Sequence, residues 1–324
     1  MMLPITEHKR STPPQFERIK NTYPLDVLKE KTVILIGCGG AADVILSLLR
    51  SGIENVALFD GDYVEASNIA TQCYYANQVG KLKTEALSSM IWSINPNAAV
   101  KSVPYYLDDS FSDEEFESII GEANLRHPEN VLIIATTDSF SAQDRAAKLA
   151  AKYGTCFIAA QMYEGGEGGE IYFHRPGVTI NGCPRCALQS RYDAYKDGYQ
   201  NHVTSYGCSI FSSEQLNAMM GHIAMMLLLY EEGGENQYTD MLDDVSDTNF
   251  VMLDTLPYYE RNSVLELFED EYSSEFSFFG DTLWLYPYSE ECGNPDCPMC
   301  GGTGDLSHFS GQIPDTRRWL EQWN

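Results

Sequence analysis

Positive charge is scarce in this 324-residue chain, where 21 Lys and Arg stand against 47 Asp and Glu for a formal net charge of −26. Polyanions would be repelled by such a surface, so nucleic acid and anionic membrane are excluded as main partners. Long hydrophobic runs are also missing. The longest, Met219 to Tyr230, contains His222 and is too short to span a bilayer. The first thirty residues hold no apolar stretch flanked by basic residues, so no secretory leader is expected. No internal repeat occurs at solenoid or propeller periods. Disorder is excluded as well, because 44% of the residues are apolar and 12% aromatic. Nine cysteines in a long chain without a leader do not form a disulfide framework. Four of them stand in two CxxC pairs, which points to metal binding in the cytoplasm.

Residues 1–30 are polar and punctuated by Pro4, Pro13, Pro14 and Pro24, and read as an N-terminal arm. Order then begins abruptly. Thr32 to Ile36 is a short β-branched apolar run, followed by Gly37-Cys-Gly39-Gly40 and a helical pattern from Ala41 to Arg50. Val56 to Phe59 is a second buried strand, ending in Asp60. Helical spacing runs from Val79 to Ile94, and further strands are expected at Val131 to Ala135 and Thr155 to Ala160 with a helix between them. This alternation predicts an α/β fold: a Rossmann-like, mostly parallel sheet with helices on both faces. Glu170 to His174 alternates like a half-exposed strand. Ser213 to Tyr230 reads as a long buried helix whose Met219, Met220, Met225 and Met226 belong to the core. From Glu231 to Asp281 there are fifteen acidic residues against the single Arg261, with Tyr and Phe interleaved as in a packed segment. The expected division is an arm (1–30), a nucleotide-binding domain (31–230) and an acidic extension (231–324) that ends in a short amphipathic tail from Asp315.

Gly37-x-Gly39-x-x-Ala42 between a strand and a helix fits a nucleotide-binding fingerprint. Glycines admit a phosphate close to the backbone, and the helix N-terminus supplies N–H donors. Asp60 lies 23 positions after Gly37, where an acidic side chain meets ribose hydroxyls. Alone, these features suggest NAD chemistry. Cys183-Pro-Arg-Cys186 and Cys297-Pro-Met-Cys300 supply four thiolates, the donor set of a structural zinc that would clip the C-terminal extension onto the body. Cys292 is a spare thiol.

The segment after Asp60 redirects the interpretation. Asp60-Gly-Asp62-Tyr-Val-Glu-Ala-Ser67-Asn68-Ile-Ala-Thr71-Gln72, followed by Gly80-Lys-Leu-Lys83, resembles the ThiF/MoeB and ubiquitin-activating-enzyme family, whose pattern is D-x-D-x-V-x-x-S-N-L-x-R-Q and then G-x-x-K. Asn95-Pro96, Thr136-Thr137-Asp138 and the two CxxC pairs match in the same order. The resemblance implies an ATP-dependent adenylyltransferase acting on the C-terminal carboxylate of a ubiquitin-like or sulfur-carrier protein, or of a peptide, and usually working as a homodimer. It implies that Gly37, Gly39 and Gly40 lie under the ATP phosphates, and that Asp60, with Asp62 beside it, serves the ribose end. It also implies that Asn68, Gln72 and Lys83 bind phosphate oxygens and that Asp138 holds magnesium. The chemistry agrees, because a carboxylate attacking a phosphate brings negative charges together and needs cations.

Thr71 departs from the pattern, since a hydroxyl cannot replace the guanidinium fork of the usual Arg. Arg145, or Arg10 or Arg18 of the arm, is the candidate substitute, and a catalytically silent binding scaffold is the alternative. Cys208, in Ser205-Tyr-Gly-Cys208-Ser, lies near where thioester-forming members carry their nucleophile, and its other reading is a small packing residue. Its loop is expected over Gln200 to Ser209, with His202 the nearest base and a helix starting several residues later. Cys38, Cys73 and Cys156 read as structural.

Overall fold

The computed structural model describes residues 13–108, 110–166, 168–179, 182–188, 192–194, 197–198, 207–233, 236–255, 282–285, 297 and 299–300. Arg10, Cys292, His202 and the tail from Asp315 lie outside them. Eight strands form one sheet: β1 (Thr32–Ile36), β2 (Asn55–Phe59), β3 (Ala99–Val103), β4 (Val131–Ala135), β5 (Cys156–Met162), β6 (Gly168–His174), β7 (Phe250–Asp254) and β8 (Thr282–Leu285), in the order β3-β2-β1-β4-β5-β6-β7-β8. The first five are parallel, with Thr32 opposite both Asn55 and Val131. The last three are antiparallel. Chain direction reverses its progress across the sheet between β1 and β4, and this topological switch opens a crevice at their C-terminal ends.

Both faces of the sheet are covered. On one side α2 (Ala42–Ser51), α3 (Lys83–Ile94) and α8 (Ile210–Leu229) pack against Val33, Leu35, Leu132 and Ile158. On the other, α4 (Asp113–Ile120) and α6 (Phe140–Tyr153) cover Ile34, Ile36, Ile133 and Phe157. The central strands are buried along their whole length, as their continuous apolar runs require. Helix α8 is buried all round from Ile223 to Leu229, while its first half shows solvent a stripe of Phe211, Glu214, Ala218 and His222 and keeps Met220 inside. Met225 and Met226 are core residues too.

Four local expectations change. Gly80 adopts φ +87° after a 3-10 turn at Ala76–Gln78, so α3 starts at Lys83 rather than Val79. Strand β3 escapes the apolar pattern because it is an edge strand with Lys101 and Ser102 exposed. Strand β6 is buried throughout rather than half-exposed, since β5 and β7 flank it and both sheet faces are covered. Helix α8 starts at Ile210, with the Ser209 side chain accepting from the Ser212 N–H, three residues earlier than the apolar pattern indicates. Beyond residue 230 the chain returns to the sheet as β7, pairing Phe250 with Tyr172.

Helices α4 and α6 are tied by charge. The Arg145 guanidinium is buried and bonds Asp113 and the Phe111 carbonyl, while Lys152 donates to the other Asp113 oxygen at 2.6 Å. Burial would raise the Asp113 carboxyl, but the hydrogen bonds and charges of Lys152 and Arg145 outweigh it and hold the group below its ordinary value. A depressed folded value stabilises the fold above about pH 4 and loses that contribution as pH falls through it. Asp113→Asn is therefore expected to lower stability by about 1 kcal/mol near pH 7, solvent screening part of the attraction. The deficit should shrink in strong acid, well below the ordinary carboxylate range, where Asp113 of the unmutated chain protonates. Urea unfolding at both pH values checks this, and a deficit of undiminished size in acid would contradict it.

Candidate functional site

The crevice is built around one carboxylate. Asp60 follows β2 and is buried, its Oδ2 accepting the Cys38 N–H and its Oδ1 the Asp62 N–H, both at 2.7 Å. The glycine turn after β1 is thereby fastened to the turn after β2. Burial raises the Asp60 carboxyl, and the donors from Asp62 and Cys38 offset this only in part. Gly37 takes φ +91°, and a Cβ there would lie 2.9 Å from the Thr137 nitrogen, so only glycine lets the turns after β1 and β4 approach. The Thr136 hydroxyl closes this contact by donating to the Gly37 carbonyl at 3.2 Å. Gly39 and Gly40 lead into α2, whose N-terminus carries no side-chain cap.

Lys83 is the first residue of α3 and is almost buried. A cation at a helix N-terminus opposes the dipole, so its position needs a compensating anion. Asp62 supplies it: Lys83 Nζ donates to Asp62 Oδ2 at 3.0 Å, and the Lys83 N–H bonds the Asp62 carbonyl at 2.9 Å. The Tyr106 hydroxyl donates to the other Asp62 oxygen. Burial would raise Asp62, yet the bonds from Tyr106 and Lys83 and the Lys83 charge keep it below its ordinary value. The Asp62 bond, partial burial and the charges of Asp62, Asp60 and Asp138 push the Tyr106 phenol up to about 12. Asp138 is thus placed in the same field, exposed at the end of β4.

Asn68 uses Oδ1 to cap its own 3-10 turn through the Glu65 N–H, which leaves its amide donors for other partners. Gln72 Nε2 lies 3.9 Å from where a Gly39 Cβ would stand, and its buried Oε1 has no hydrogen-bond partner among the described residues. Helix α8 reaches the same loop: Asn217 Nδ2 donates to the Gly40 carbonyl at 2.9 Å, and Ser213 Oγ lies 3.2 Å from a Gly40 Cβ position. Sequence patterns missed Tyr106, Ser213 and Asn217, because their partners are distant in the chain. The glycine loop beside a polar patch on an otherwise apolar helix was the available signal for the last two.

Thr71 ends the 3-10 turn at Ala66–Ala70, its methyl 3.2 Å from a Cβ position on Gly207. Arg145 is engaged by Asp113, so it does not stand in for the missing Arg, and Arg18 is exposed on the arm. Cys208 is half-buried, its Sγ 3.4 Å from Ser213 Oγ and its Cβ 2.6 Å from a Cβ position on Gly166. It directly precedes the Ser209 cap of a twenty-residue helix. Burial raises the thiols of Cys38 and Cys156, and pushes Cys73 up to about 12, in keeping with structural roles.

The four CxxC cysteines converge. All four sulfurs lie within 4.8 Å of one another, Cys183 being 3.7 Å from Cys297 and Cys186 3.6 Å from Cys300. Thiolates about 2.3 Å from a tetrahedral ion stand about 3.8 Å apart, so the donor set fits such a metal. The cluster belongs to the α6-side core, where the Tyr172 hydroxyl also fixes the Gly182 carbonyl at 3.0 Å. Among the described residues no helix is long and apolar enough to cross a membrane.

The sequence matches the ThiF family over residues 14–242. It is 28% identical over 173 residues to ubiquitin-like modifier-activating enzyme 5 of Drosophila mojavensis, covering 53% of this chain and 43% of that protein. The corresponding enzyme of Drosophila persimilis is 32% identical over 165 residues, covering 49% and 42%. The match spans less than half the length of these relatives. Among solved structures, Escherichia coli MccB with MccA-N7isoASN shares the fold at 17% identity, TM-score 0.55, covering 89% of this chain and 77% of that one. MccB with ATP gives 17% and 0.53 over 87% and 75%, and PaaA gives 20% and 0.53 over 68% and 76%.

Metal analysis of freshly purified protein is expected to find one ion per chain at the cysteine cluster. Cys297→Ser should lose it and melt earlier, and a chelator should lower the Tm of the unmutated chain alone. A chain that purifies without metal and ignores chelators would refute the site.

Proposed function

This chain belongs to the ThiF family, and we propose that it uses ATP to adenylate the C-terminal carboxylate of a small ubiquitin-like or sulfur-carrier protein, or of a peptide. The observation that carries this reading is the convergence, at the switch point of the sheet, of the glycine turn, the Lys83–Asp62 pair and Asp138. Gly37, Gly39 and Gly40 form the cradle for the phosphates. Asp60 keeps one lone pair on each oxygen for a ribose hydroxyl, with Asp62 beside it. Asn68, Gln72 and Lys83 donate to phosphate oxygens, and Asp138 is the ligand for magnesium. The bound ion neutralises charge on the triphosphate. A substrate carboxylate oxygen attacks the α-phosphorus. The new P–O bond forms as the bond to the β-phosphate bridge breaks, and the electron pair leaves with pyrophosphate.

We place this chemistry in residues 31–230, with 231–324 as an extension held by zinc on Cys183, Cys186, Cys297 and Cys300. Zinc suits a closed set of four cysteine thiolates with no open position. Cys208 is the proposed acceptor of the acyl group: its thiolate attacks the adenylate carbonyl and AMP leaves, giving a thioester. The working assembly is a homodimer in the cytoplasm, where ATP and reduced thiols coexist. The relatives named for ubiquitin-like modifier activation, and the MccB structures with ATP and with an MccA peptide, support this reading. NAD-dependent oxidation leaves Asn68, Lys83 and Asp138 without a task. A silent scaffold is favoured by Thr71 and by the engagement of Arg145 with Asp113.

ATP–pyrophosphate exchange with a carrier ending in a free carboxylate is expected in the unmutated chain. Lys83→Met and Asp138→Asn should each reduce it by about a hundredfold or more while the melting curve keeps its shape. ATP binding without exchange for any carrier would favour the scaffold, and tighter binding of NAD than of ATP with magnesium would sink adenylation.

Cys208→Ala should retain exchange and lose a reductant-sensitive adduct with the carrier on a non-reducing gel. Persistence of the adduct in that variant would move the nucleophile elsewhere.

A further inference from the structure

Tyr106 is a side chain at the crevice to which the proposed reaction assigns no task. It follows β3 and is 60% exposed, yet its ring covers Gly61 so closely that a Cβ there would fall 2.9 Å from a ring carbon. Its hydroxyl donates to Asp62 Oδ1, while Lys83 donates to Asp62 Oδ2. One carboxylate is therefore shared between a phenol and an ammonium. With its pKa pushed up to about 12, the phenol remains a donor throughout the neutral range.

The charges explain why such sharing matters. Among the described residues, three carboxylates, Asp60, Asp62 and Asp138, act on this space, while Lys83 is the cation placed in it and Thr71 adds no charge. An Asp62 bound by Lys83 alone would turn its full charge on the ammonium and on any phosphate beside it. A second donor draws density from Oδ1 and holds the carboxylate so that a single oxygen meets Lys83, which keeps two of its three N–H groups for phosphate.

We propose that Tyr106 is a positioning residue for the triphosphate: by bonding Asp62 it weakens the negative field and releases Lys83 toward phosphate, partly compensating for the Arg absent at position 71. This rests on the ATP reading above. The test is calorimetric titration with ATP and magnesium of the unmutated chain, Tyr106→Phe, Asp62→Asn and the double variant. Tyr106→Phe, which keeps the ring, should bind about five- to tenfold more weakly. Asp62→Asn, which also alters the ribose end and the Lys83 contact, should bind ATP more weakly but measurably, and adding Tyr106→Phe to it should change affinity less than about twofold, because the field that Tyr106 restrains is gone. Equal affinity for the unmutated chain and Tyr106→Phe, the same loss in both backgrounds, or no binding by Asp62→Asn would each overturn the proposal while ATP binding itself stands. Absence of ATP binding by the unmutated chain would instead overturn the nucleotide reading, and this assignment with it.

Discussion

The Asp60 carboxylate, closed by two backbone N–H groups, is the contact on which the crevice depends. A buried carboxylate is unfavourable unless its lone pairs are met, and here the donors come from the glycine turn at Cys38 and from Asp62 two residues on. The first fixes the glycine turn, and the second fixes the backbone that carries the Lys83 partner. Removing either donor would leave buried charge, so the two turns are mutually required. The glycine at position 37 serves the same closure from a third side, because any Cβ would push the β4 turn and Asp138 outward.

Charge balance is the second constraint. The chain carries a large negative excess, and its crevice repeats that imbalance locally, with Asp60, Asp62 and Asp138 around Lys83 among the described residues. A triphosphate entering such a field is repelled unless the carboxylates are occupied, by hydrogen-bond donors for Asp60 and Asp62 and by a cation for Asp138. The burial of Lys83 at a helix N-terminus, against the dipole, makes sense in these terms: the ammonium is poorly solvated there and interacts strongly with an anion. A long, hydrated surface lysine would not.

The parallel half of the fold was legible because its buried strands are continuous apolar runs, as at Thr32–Ile36 and Val131–Ala135, and the crossovers holding α2, α3 and α6 carry helical patterns, whereas α4 was not read. Edge strand β3 was not, since exposed positions such as Lys101 erase the apolar signal. The glycine loop, Asp60 and Lys83 were legible as spacing, and the four cysteines as pairs whose separation said nothing of their convergence. Tyr106 and Asn217 were invisible, because their meaning lies in Asp62 and Gly40, which only the folded chain brings to them. Arg145 was misjudged for the mirror-image reason: an arginine near the right motif reads as free until Asp113, thirty-two positions away, is seen to hold it.

Helix α8 joins the two chemistries proposed for the chain. Its apolar body is locked between α2 and the sheet, so its first turn cannot shift far without opening the core. Ser213 and Asn217 on that first stretch bear on Gly40, and Cys208 stands one residue ahead of the Ser209 cap. The thiol and the glycine turn are therefore referenced to one rigid element. A transfer from an adenylate to Cys208 then requires movement of the segment before Ser209, including Gly207 against Thr71, and leaves the helix in place. Position 71 borders that segment: the Thr71 methyl would lie 3.2 Å from a Cβ at Gly207, so Thr71 flanks the residue before Cys208.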